Sequence, residues 1–109
     1  MFKIEQYSNT MTVIKKDTVS FTVSLDNYIL SDGDKVTFTV AEKLEQEKPI
    51  IQKVITSFVD GVATVTLDSI DTDIEIGTYL YDIQIDLASG VIDTVIGPAH
   101  FIVEGGVTY

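Results

Sequence analysis

Gly77-Thr78-Tyr79-Leu80-Tyr81-Asp82-Ile83-Gln84-Ile85-Asp86-Leu87 decides how this chain folds. Tyr79, Tyr81, Ile83, Ile85 and Leu87 recur at every second position, with Leu80, Asp82, Gln84 and Asp86 between them. A period of two sends alternate side chains to opposite faces of a pleat, whereas a helix would need a period near 3.6. Tyrosine and isoleucine are also residues that fit a half-buried pleated surface. The stretch is read as a strand with one dry face.

The same alternation appears earlier in the chain. Val19, Phe21, Val23 and Leu25 alternate with Ser20, Thr22 and Ser24, and Val36, Phe38 and Val40 alternate with Thr37 and Thr39. Strands are expected near 10–15, 18–25, 35–43, 50–58, 62–67, 78–87, 90–96 and 99–104, with a short extra one at 2–6. Asp60-Gly61 and Ser89-Gly90 suit tight hairpins that need positive φ. Ser31-Asp32-Gly33-Asp34 reads as a turn, and Lys15-Lys16 as a hairpin tip. Gly97-Pro98 interrupts the last run, and a proline without an N–H points to a bulge or an edge. Glu42 to Lys48 is the least strand-like stretch, a helical turn or an exposed loop. Asp68 to Ile76 is expected to form one helical turn capped by Asp68.

Short strands at this spacing predict an all-β fold, an immunoglobulin-like antiparallel β-sandwich of about seven to nine strands. Phe21, Phe38, Tyr79, Ile83, Ile85 and Phe101 are its expected core. Leu67, Ile70 and Asp73 leading into Gly77-Thr78-Tyr79 match the corner before the penultimate strand of such sandwiches. There a tyrosine hydroxyl bonds back to the preceding loop, with Tyr79 as the candidate and Tyr81 as the alternative. Residues 1–109 read as one domain ending in a flexible tail, 105–109. At 109 residues, such a domain buries roughly two-thirds of its unfolded surface and folds without staples.

Composition narrows the function. The chain has no cysteine, which removes disulfides, thiolate metal sites and cysteine nucleophiles. Seventeen acidic against seven basic residues give a net charge of −10, which repels phosphate backbones and anionic lipid. Nucleic acid and membrane are therefore not expected partners. The N-terminus lacks a basic region followed by an apolar run, so folding where the chain is made is expected.

No catalytic constellation emerges, and no catalytic, cofactor-binding or metal-binding residue is assigned. The single histidine, His100, lies in a strand between Ala99 and Phe101 without a nucleophile or second ligand beside it. Asp68, Asp71, Asp73 and Glu75 could offer oxygens to calcium, but their spacing is not that of an EF-hand, and capping explains them. The alternative to an assembly protein is a carbohydrate- or calcium-binding β-sandwich module.

Three stretches carry a resemblance. They are Thr12-Val13-Ile14-Lys15-Lys16-Asp17-Thr18-Val19-Ser20-Phe21-Thr22-Val23, then residues 30–40 from Leu30-Ser31-Asp32-Gly33-Asp34 to Val40. The third is Gly77 to Ile85 continuing through Asp93-Thr94-Val95-Ile96-Gly97-Pro98 to Phe101-Ile102-Val103. In this order, over roughly residues 8–104, the chain resembles small phage and prophage proteins of Gram-positive bacteria. These are similar to the N-terminal domain of the siphophage upper baseplate protein. The resemblance implies a non-catalytic structural or adaptor protein of a tail, placed in the virion and bound to other tail or baseplate proteins or to copies of itself. The family often has glycine before the aspartate of the first stretch, where this chain has Lys16. Strand 99–104, whose one fixed charge is Glu104, is the expected open edge for such assembly.

Overall fold

The computed structural model describes residues 3–4, 9–25, 28–44 and 48–107. Among these residues all regular structure is strand. The strands are β1 (Lys3–Ile4), β2 (Met11–Ile14), β3 (Val19–Val23), β4 (Lys35–Ala41), β5 (Ile51–Ile55), β6 (Ala63–Leu67), β7 (Gly77–Asp86) and β8 (Ile92–Glu104). No helix is long and apolar enough to cross a membrane.

Two sheets form: a six-stranded one in the order β1-β2-β8-β7-β4-β5, and a pair, β3-β6. The patterned stretch 77–86 sits inside the larger sheet, between β4 and β8. Its inward residues Tyr81, Ile83 and Ile85 are buried with Val36, Phe38 and Val40 of β4, and with Val19, Val23, Ala63, Val65 and Leu67 of the smaller sheet. Both sheets therefore share one core. Phe38 lies at its centre, with ring centroids 5.3 Å from Phe21, 5.6 Å from Tyr81 and 6.1 Å from Phe101. Phe21 and Phe101 meet it edge-on, a packing that adds to the area the rings bury. Of the expected core, Phe38, Ile83, Ile85 and Phe101 are buried, while Phe21 and Tyr79 pack against it half-buried.

Several expectations are corrected. The sheets are not wholly antiparallel, because β2 runs parallel to β8, Met11 opposite Phe101 and Ile14 opposite Glu104. Strand 99–104 is consequently no open edge. It is poor in charge because β2 covers one side and β7 the other. Runs 90–96 and 99–104 are one strand, β8, which stays paired through a bulge at Gly97-Pro98. Lys15-Lys16 is a turn between sheets, not a hairpin tip, since β2 and β3 belong to different sheets. Lys16 has φ 72°, the left-handed conformation that glycine adopts more easily. Residues 68–73 form hydrogen-bonded turns instead of a helix, and Asp71 caps Asp68 rather than the reverse, accepting its N–H at 2.8 Å.

The hairpin at Asp60-Gly61 is as expected. Both residues have positive φ, and Val59 and Val62 exchange backbone bonds at 3.1 and 3.0 Å. The hairpin at Ser89-Gly90 is one residue longer, with Ala88-Ser89-Gly90 between the bonded Leu87 and Val91. Parts of the expectations for 2–6, 42–48 and 105–109 lie outside the described residues.

Candidate functional site

Strand register gathers three loops at one end of the molecule. They are 28–34 before β4, 56–62 after β5, and 87–91 after β7. A buried carboxylate fastens two of them. Asp34, 1% exposed, closes the turn that begins at Ser31 and accepts the Ser31 N–H at 3.0 Å. Its Oδ2 also accepts the Tyr28 hydroxyl at 2.9 Å, and its Oδ1 takes the Ala88 N–H at 2.8 Å from the loop after β7. A carboxylate with several N–H and O–H donors is stabilised in its charged form. The Ala88 and Ser31 bonds, and then the Tyr28 hydroxyl, outweigh the effect of burial and hold the Asp34 carboxyl below the usual range. The same bond, burial and the adjacent charge raise the Tyr28 hydroxyl.

Glycine makes the close approach possible. Gly33 has φ 95°, and a Cβ there would stand 3.0 Å from Ala88 Cβ. The third loop joins through Leu30, which is buried and donates its N–H to the Gly61 carbonyl at 3.3 Å. A side chain on Gly61 would overlap Ile29. On this braced end Ile29 and Val59 are 76% and 75% exposed, and Tyr28, Val91 and Ile92 are exposed beside them. Asp32, Asp60 and Ser89 supply polar groups between them. Rigid loops presenting apolar side chains in a polar surround are the usual form of a contact surface for another protein.

The opposite end is wired differently. Thr72, fully buried, donates its hydroxyl to the Asp17 carbonyl at 2.7 Å and so ties 68–76 to the 15–18 turn. The four acids considered for calcium do not converge. Asp71 pairs with Lys53 at 2.9 Å and Asp73 with Lys15 at 3.7 Å. Burial raises the Asp71 carboxyl, but the Lys53 ammonium and the Asp68 N–H outweigh it and leave a net lowering. Among the described residues no group of three or more His, Asp or Glu side chains stands close enough to hold a metal ion.

His100 is exposed on β8 opposite Leu80. The two corner tyrosines divide the expected role. The Tyr79 hydroxyl bonds back to the Glu75 carbonyl at 2.6 Å, but its ring is half-buried. Tyr81 is the inward ring, and its hydroxyl donates to the carbonyl of Asn9. Burial pushes the Tyr81 hydroxyl up to about 12.

No protein-family model matches the chain, and no curated protein matches it. The functional reading therefore stands on this geometry and on the sequence resemblance. Asp34 carried no sequence signal beyond its turn, because the partner that makes it a brace, Ala88, lies 54 residues away.

Proposed function

We propose that this chain is a non-catalytic attachment module that binds other proteins through the loop end 28–34, 56–62 and 87–91. The carrying observation is the set of exposed apolar side chains, Ile29 and Val59 foremost, mounted on loops that Asp34 and Leu30 brace from within. Exposed apolar groups on segments held by such bonds lose little conformational entropy on binding, which favours affinity. The strand order β8-β7-β4-β5 facing β3-β6 is compatible with an immunoglobulin-like sandwich, whose loops serve binding at one end. The resemblance to siphophage baseplate domains supplies the setting: an adaptor made in the bacterial cytoplasm and carried in a phage or prophage tail.

Co-expression with the proteins encoded by its neighbouring genes tests this reading. A stable complex with one of them, or a defined homo-oligomer in light scattering, is the expected result. A strict monomer at high concentration that captures none of them would refute it and favour a carbohydrate- or calcium-binding module.

A further inference from the structure

Asp82 is placed unlike the other carboxylates. It belongs to the outward set of β7 with Gln84 and Asp86; like Asp86 it is half-buried, but its carboxyl alone of the two lies beneath a bulge. The register between β7 and β8 shifts on either side of Ile83, so that Tyr81 pairs with Ala99 but Ile83 with Ile96. The unmatched residues, Gly97 and Pro98, press onto Asp82, and a Cβ on Gly97 would stand 2.9 Å from both the Cα and Cβ of Asp82. Bulges commonly re-aim a side chain in this way.

The result is a depression of about 130 Å³ on the outer face of the larger sheet. Ala41, Leu44, Leu80 and Pro98 form apolar walls, Asp82 supplies a carboxylate and Lys43 stands at the rim. Among the described residues none donates a hydrogen bond to the Asp82 carboxylate or forms an ion pair with it. Burial alone raises its carboxyl above the usual range. A partly desolvated carboxylate without a donor is costly to the free protein, and a cation would remove that cost.

We propose that this depression is a subsite for a lysine or arginine side chain of a partner protein, its alkyl stem on Leu44, Leu80 and Pro98 and its charged head on Asp82. The shape suits an amphipathic side chain that lays its stem on apolar surface and carries its charge at the tip. The net charge of −10 adds a long-range attraction for a basic partner. That the partner is a protein rests on the attachment reading above; the affinity of the pocket for an alkyl cation does not.

The test uses the free, isotope-labelled full chain and n-butylammonium chloride as the probe, followed by amide NMR. Saturable shifts are expected at 41–44, 80–82 and 97–99, and about tenfold weaker binding in Asp82→Asn, the usual loss for a charge-assisted hydrogen bond. Neither n-butanol nor sodium chloride at matched concentration should reproduce them. In the wild-type protein, saturating butylammonium should also move the Asp82 carboxyl titration downward. Absence of saturable shifts there, equal binding in Asp82→Asn, equal effects of n-butanol, or an unmoved Asp82 titration would each overturn the proposal. Such a failure would leave the loop-end reading standing, whereas intact probe binding without capture of any tail protein would sink that reading alone.

Discussion

The two ends of the molecule are each held by one buried polar residue, and the two residues differ in kind. Asp34 braces the loops 28–34 and 87–91 with a charge, through the N–H groups of Ser31 and Ala88. Thr72 joins 15–18 to 68–76 with a neutral hydroxyl on the Asp17 carbonyl. Lysines neutralise Asp71 and Asp73 at the Thr72 end, whereas Asp34 is satisfied by backbone and tyrosine donors. A charged brace can hold more donors than a hydroxyl, and it depends on pH. The contrast therefore predicts one end that loosens in acid through its brace and one whose brace does not titrate.

The largest expected effect removes what both ends share. Phe38→Ala should cost about 3–5 kcal/mol in denaturant unfolding, the range for a buried phenylalanine, and loosen both ends together. A cost below about 1 kcal/mol would mean that Phe38 is not at the common core. Next is the neutral brace. Thr72→Val keeps the shape but leaves the Asp17 carbonyl without its donor, at about 1–3 kcal/mol. Faster amide exchange should then appear at 15–17 and 68–73 and not at 31 or 88. An equal response at both ends would break the comparison.

The charged brace is tested with pH. Because the Asp34 carboxyl lies below its ordinary range when folded, its contribution is present above the unfolded value, about 3.9, and is lost as pH falls through the folded one. Asp34→Asn should lower the thermal midpoint at neutral pH and shrink the difference between melts at pH 6 and pH 3. An unchanged acid dependence would deny Asp34 this role. The smallest effect concerns the turn at the Thr72 end. Lys16→Gly removes the strain of φ 72° and should raise stability by about 0.5–1 kcal/mol, after the extra freedom of glycine in the unfolded chain is subtracted. A loss instead would show that the lysine side chain contributes more than its backbone costs.

Much of the fold was legible because it is written locally. Alternation around Phe38 and Ile83 marked their faces, and Asp60-Gly61 marked a hairpin. What was missed depends on residues far apart. Strand 99–104 looked like an edge because charge was absent, and only the parallel pairing with β2 reveals that both its sides are covered. Asp34 looked like a turn residue, and Asp82 like any outward acid of an alternating strand. The burial of each comes from a segment remote in sequence, Ala88 for one and the Gly97-Pro98 bulge for the other. Lys16 looked like one residue of a hairpin tip, and its left-handed backbone follows from a turn that passes between two sheets.

The most direct test of the attachment reading compares the two ends with matched changes. Val59, 75% exposed at the Asp34 end, and Ile70, 86% exposed at the Thr72 end, are each replaced by Asp, and affinity for the partner protein captured in co-expression is measured. Val59→Asp should weaken binding about tenfold or more, the effect of a charge in a contact core, while Ile70→Asp leaves it within about twofold. Equal losses, or a loss confined to Ile70→Asp, would contradict the assignment of binding to the loop end braced by Asp34.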